Sequence, residues 1–85
     1  MGLAQKFYFE YEKVNDIEKI LIGLSTHKSN NLWIISEYNQ RVMLVECGIE
    51  DYGLYMHRSG DYFEIVGILV ETLTGAFGKI SSEDL

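Results

Sequence analysis

The sequence predicts an α+β domain: a four-stranded mixed sheet in the order βαβββα, with both helices packed on one face. Three observations lead there. The stretch Asn31 to Cys47 holds two runs rich in β-branched, aromatic and aliphatic side chains around Asn39-Gln40, which reads as a β-hairpin closed by a tight two-residue turn. Apolar residues recur at helical spacing on either side of that hairpin, at Ile17, Ile20, Leu21 and Leu24 and again at Phe63, Val66, Val70, Leu73 and Phe77. Finally, 85 residues that are 47% apolar, with no break in composition, form a single domain. A chain this short hides only ~60% of the surface it exposes when unfolded, so its core is thin.

The first strand is expected over Phe7 to Glu12, where Phe7, Phe9 and Tyr11 alternate with Tyr8, Glu10 and Glu12. Asn15-Asp16-Ile17-Glu18 then fits a helix start with acidic residues against the positive end of the dipole, and Ser29-Asn30-Asn31 supplies the stop. A helix from about residue 15 to 27 spans ~20 Å, the length of a six-residue strand. That makes a crossover unit, with the first strand parallel to Leu32–Tyr38. The return strand covers Arg41 to Cys47, Gly48 to Asp51 turns, and Tyr52 to His57 forms a fourth, antiparallel strand. Asp61 and Glu64 stand at capping-box spacing before the last helix, and Gly78 is placed to end it. The apolar stripe of that helix, widened by Tyr62, Ile65, Leu69 and Ala76, exceeds what one side of a sheet needs. The domain is expected over residues 1–80, with Ser81 to Leu85 a frayed acidic tail.

A turn at Asn39-Gln40 sets Tyr38 opposite Arg41, Ile35 opposite Leu44 and Trp33 opposite Glu46. Leu32, Ile34, Met43, Val45, Phe7, Phe9, Tyr11, Leu54 and Met56 then share the core side. The other side collects Tyr8, Glu10, Glu12, Trp33, Glu37, Glu46, Tyr55 and His57, together with Ile35, Val42 and Leu44. A solvated face usually reads as Thr, Ser, Lys and Glu, whereas this one mixes aromatics with carboxylates, as docking surfaces do. Those eight residues are the expected partner-binding set, with Trp33, Tyr8 and Tyr55 as anchors.

Thirteen acidic residues against seven basic ones give a formal charge of -6, and the basic residues are scattered. Direct binding to nucleic acid needs several cations gathered on one face, so a basic protein partner is favoured instead. The longest apolar run is a few residues, far short of the ~20 that cross a bilayer. Met1-Gly2 resembles a myristoylation start, but Lys6 stands where Ser or Thr is required. The single cysteine, Cys47, has no internal disulfide partner, which points to a reducing cytoplasmic compartment. In a strand it reads as a small buried hydrophobe rather than a nucleophile. His27 and His57 are thirty residues apart with no second cysteine, so there is no metal spacing, and no cofactor motif is present. The expected function is non-catalytic: a small cytoplasmic binding protein that masks a larger basic partner. Immunity proteins, antitoxins and nucleic-acid mimics act this way and share its size, charge and surface type. The alternatives are a homodimeric regulatory or chaperone-like domain seamed along the final helix, and a small-molecule-binding domain using the space between helices and sheet.

Overall fold

Asn39 and Gln40 both take positive φ, 50° and 66°, and the hairpin closes around them with Tyr38 opposite Arg41. Left-handed backbone at both central positions matches the right-handed twist of the flanking strands. Gln tolerates that region less well than Asn or Gly. Gln40→Gly is therefore expected to stabilise the fold by about 0.5–1 kcal/mol. In a domain of this size that raises Tm by roughly 2–8 °C. A thermal melt with Tm unchanged or lowered would count against a strained left-handed turn at Gln40.

The computed structural model describes residues 3–85, so Met1-Gly2 and the expected domain start lie outside the described residues. The element order is β1 (Leu3–Tyr8), α1 (Val14–Leu24), β2 (His27–Ser29), β3 (Leu32–Tyr38), β4 (Arg41–Glu50), β5 (Gly53–Gly60), α2 (Phe63–Phe77) and β6 (Ser81–Asp84). The strands form one sheet in the order β2-β3-β4-β5-β1-β6, with every neighbouring pair antiparallel. The α+β class stands, but the four-stranded mixed sheet does not. β1 pairs with β5 instead of running parallel to β3, so the strand–helix–strand segment makes no parallel crossover. Ser81 to Asp84 forms the sixth strand against β1, anchored by the Tyr8 hydroxyl donating to Glu83 at 2.7 Å, rather than a frayed tail.

The first strand also begins and ends earlier than expected. Phe9 leaves the ladder, its N–H bonding the Tyr52 carbonyl at 3.0 Å, and its ring stacks on Phe77 with centroids 4.9 Å apart. Past Tyr8 the alternation therefore marks core-facing side chains without marking strand pairing. Tyr11 still packs on the core, and its hydroxyl donates to the Glu50 carbonyl at 2.8 Å.

Between Ile35 and Glu37 the β3–β4 ladder slips by one residue at Ser36. A bulge turns one backbone N–H away from its partner strand. Here Thr26 takes up that group: the Ser36 N–H donates to Thr26 Oγ1 at 3.0 Å, while the Thr26 hydroxyl donates to the Ile34 carbonyl at 3.0 Å. The Thr26 N–H bonds the same carbonyl at 2.8 Å, which draws the chain out of α1 after Leu24 and starts β2. Beyond the bulge Ile35 faces Val45 and Trp33 faces Cys47, in place of the expected Leu44 and Glu46.

The slip decides which side chains are core. Trp33 and Ile35 join Phe7, Met43, Val45, Cys47, Leu54 and Met56 on the covered face, under Ile17 and Leu21 of α1 and Ile65, Leu69 and Leu73 of α2. Leu32 and Ile34 move to the open face. No polar or charged side chain is fully buried among the described residues. The capping box expected at α2 is absent, since Tyr62 occupies the N-cap without a side-chain bond. Asp61 and Glu64 hold Arg41 instead, at 2.7 and 3.1 Å, tying the hairpin base to the start of α2. Those carboxylates push the Arg41 pKa up, chiefly through the Asp61 hydrogen bond. Gly78 ends the helix at φ 82°, as its position predicts.

Candidate functional site

Three surfaces remain once the helices have covered one side of the sheet: the opposite sheet face, a groove at one end of it, and a smaller groove beside α2. On the open face the register sets His27, Ile34, Glu46, His57 and Ala4 in one row across five strands. The next row holds Ser29, Leu32, Gly48, Tyr55, Lys6 and Glu83. Leu44 lies beside Ser59, and Val42 beside Glu37 near the hairpin tip. Val42 and Leu44 are open to solvent, 77% and 41% exposed, while Leu32 and Ile34 are half-buried and Gly48 is buried. His57 Nδ1 lies 3.7 Å from the Glu46 carboxylate, the one close polar approach at the centre of the face.

Five of the eight expected partner-binding residues lie on this face: Tyr8, Glu37, Glu46, Tyr55 and His57. Trp33 does not. It is only 8% exposed on the core side, with the Lys28 ammonium 4.5 Å from its ring centroid. The cause is the Ser36 bulge, because a one-residue slip moves every side chain beyond it to the other face. Glu10 and Glu12 also leave the face, because the chain has turned out of the sheet after Tyr8. The expected acidic sheet face is thereby divided. Its centre carries little charge, and the carboxylates of the first segment gather elsewhere.

They gather at the groove. Glu10, Glu12, Asp16 and Asp51 rim an open depression of about 1210 Å³ lined by Tyr8, Phe9, Tyr11, Tyr52 and Phe77, with Lys79 the only cation in its wall among the described residues. The aromatic floor follows from the strand exit just described. Phe9 is fixed on Phe77, Tyr11 on the Glu50 carbonyl, and Tyr8 against Tyr52 with ring centroids 5.1 Å apart. The Lys6 ammonium already rests 5.3 Å from the Tyr52 centroid, so this ring system accepts a cation. Both phenols are harder to ionise than usual. The hydrogen bond to Glu83 raises the Tyr8 pKa, while partial burial raises that of Tyr52, with neighbouring carboxylates adding to each. Tyr11, Asp16, Asp51 and Tyr52 were not among the expected site residues, because the groove joins segments forty residues apart, which only the fold brings together.

A second, smaller groove of about 310 Å³ runs between α2 and β1 and is lined by Phe7, Tyr62, Phe63, Val66 and Val70, with Phe63 76% exposed. This is where the surplus apolar width of the last helix emerges. Elsewhere between the helices and the sheet lies the core cluster of Ile17, Leu21, Ile65, Leu69 and Leu73 on Trp33, Ile35, Val45 and Met56. Burial pushes the Cys47 thiol up to about 12, far from the thiolate that nucleophilic chemistry needs. Among the described residues no group of three or more His, Cys, Asp or Glu side chains could hold a metal ion, and no helix is long and apolar enough to cross a membrane. No protein-family model, curated protein or solved structure matches the chain.

Proposed function

We propose that this protein is a non-catalytic binding domain that docks on and masks a larger basic protein, and that the acidic, aromatic-floored groove is where it does so. The observation that carries this reading is the convergence of Glu10, Glu12, Asp16 and Asp51 over Tyr8, Tyr11 and Tyr52. Rings and carboxylates together suit a Lys or Arg side chain, whose alkyl stem packs on an aromatic while its head meets negative charge. At about 1210 Å³ and open along one side, the groove exceeds the ~300–1,000 Å³ of a typical small-molecule pocket and suits a length of another chain.

The chain's own cations support the same reading. Lys6 lies over Tyr52, Lys28 over Trp33, Arg58 over Tyr62 with a further bond to Gln5, and Arg41 between Asp61 and Glu64. Four of the seven basic residues are thus engaged internally, while the four groove carboxylates make no ion pair among the described residues. The outward field is negative and steers basic partners toward the molecule.

The test is titration with a Lys- and Arg-rich peptide, followed by NMR. Resonances of Tyr8, Tyr11 and Tyr52 should shift first, and affinity should fall steeply with salt. The Glu10→Lys, Glu12→Lys, Asp51→Lys variant changes three exposed or rim positions and should weaken binding at least about tenfold. Equal shifts at every surface carboxylate, or unchanged affinity in the variant, would remove the groove as the docking site.

A further inference from the structure

We infer that the smaller groove beside α2 binds a small monocarboxylate with an apolar tail, an acyl chain of medium length, whose head is held by Arg58 and whose tail lies along the helix. The inference is independent of the acidic groove, which lies toward the opposite end of α2 and suits cations.

The groove exists because the sheet extends beyond the helix that covers it. α2 runs alongside β1, with Tyr62 at the Arg58 end and Phe77 at the Phe9 end, and β6 carries the sheet on past β1. Ile65, Leu69 and Leu73 are the buried stripe of the helix, while Phe63, Val66 and Val70 stand on its flank and form one wall of the groove. The register sets Ser82 beside Phe7 on the helix side of the sheet, and these two residues with Gln5 form the opposite wall and floor. The space is about 310 Å³, at the lower end of the ~300–1,000 Å³ of small-molecule pockets. From Tyr62 to Val70 the helix rises ~12 Å, enough to flank one extended acyl tail. A space of that size does not admit a helix or strand of another protein.

One end of this apolar trough is charged. Of the chain's two arginines, Arg41 is held between Asp61 and Glu64. Arg58 instead meets two uncharged groups: the Tyr62 ring, 4.9 Å from its guanidinium, and the Gln5 amide oxygen, to which its Nη1 donates. Its Nε is enclosed with no acceptor among the described residues. A cation drawn out of water without a counter-charge is costly, so this guanidinium is short of an anion. The neighbouring carboxylates do not supply one. Asp61 and Glu64 are bound to Arg41, Glu83 is bonded to Tyr8, and Asp84, opposite Gln5 on β6, makes no ion pair among the described residues. A ligand carboxylate matches the planar fork of an arginine with two parallel N–H···O bonds. The net charge of -6 selects against multiply charged anions, phosphate among them, which favours a head with a single charge.

Titration of the whole chain with octanoate, followed by NMR up to about 2 mM, tests this. Saturable shifts are expected at Val66, Val70 and the Arg58 side chain. Octanol, which has the same tail and no charge, should bind at least about tenfold more weakly, and acetate, the head alone, should not saturate over the same range. Arg58→Met keeps an apolar stem and removes the charge. It should weaken octanoate at least about tenfold and leave octanol unchanged. Asp84→Asn should leave octanoate bound as tightly as before. Circular dichroism melts establish that each variant folds, and if Arg58→Met does not, the octanoate and octanol affinities of the wild type decide alone. Equal affinity for the two, no saturable shift, shifts centred on the acidic groove, or undiminished binding in folded Arg58→Met would each overturn the proposal. So would displacement of octanoate by an equal concentration of a peptide ending in a free leucine carboxylate, which would make the groove a site for chain termini.

Discussion

Trp33→Ala is expected to lower folding stability by about 3–5 kcal/mol while leaving peptide binding unchanged in the fraction that remains folded. The indole is 8% exposed, it lies on the covered face beside Ile35 and Cys47, and its removal opens a cavity under the helices. A further ~0.5–1 kcal/mol is lost with the Lys28 contact at one end of the ring. Domains of this length are held by roughly 4–13 kcal/mol, so the variant sits near its unfolding threshold at ambient temperature. Urea denaturation followed by circular dichroism measures the loss, and peptide titration below the midpoint measures binding. The opposite pattern, a preserved midpoint with binding abolished, would return Trp33 to the surface and reinstate the acidic sheet face as the docking site.

A loss of about 3 kcal/mol or more is expected for Gly53→Ala, from a change of one methyl group. Gly53 takes φ 142°, which side-chain-bearing residues rarely adopt, and an added Cβ would stand 2.3 Å from the Phe7 carbonyl oxygen and 3.0 Å from the Phe9 ring. Neither neighbour is free to move. The Phe7 carbonyl belongs to the β1–β5 pairing, and Phe9 is clamped between that turn and Phe77. The clash therefore propagates into the strand exit that forms the groove floor. Denaturation midpoints should fall sharply, and the Tyr8 and Tyr52 resonances should broaden or shift. A variant with wild-type stability would mean that the tight β4–β5 turn has room the structure does not show.

What the sequence revealed and what it hid both have physical reasons. The Asn39-Gln40 hairpin was legible because a two-residue turn and its flanking runs are local signals. The two helices were legible because their apolar spacing repeats over several turns. The bulge at Ser36 was not. Its partner, Thr26, lies ten residues away in a stretch that reads as the end of a helix, and nothing in the alternation Leu32-Trp33-Ile34-Ile35 says which set faces inward, since both are apolar. One hydroxyl therefore settled the side on which Trp33 lies. β1 was placed too late because the aromatic alternation is strongest where the chain has already left the sheet. β6 was missed because Ser-Ser-Glu-Asp carries no strand propensity and is held by the neighbour it pairs with. Of the expected site residues, Tyr8, Glu10 and Glu12 line the acidic groove, while Tyr55, His57 and Glu46 share the open face. The sequence had merged two surfaces into one.

The outermost strands of the sheet, β2 and β6, are only three and four residues long, and β6 ends in Glu83 and Asp84. Edges that short offer few unsatisfied amides to an incoming strand, and paired acids at one rim repel another like it. Growth by ribbon extension into fibrils is thereby discouraged.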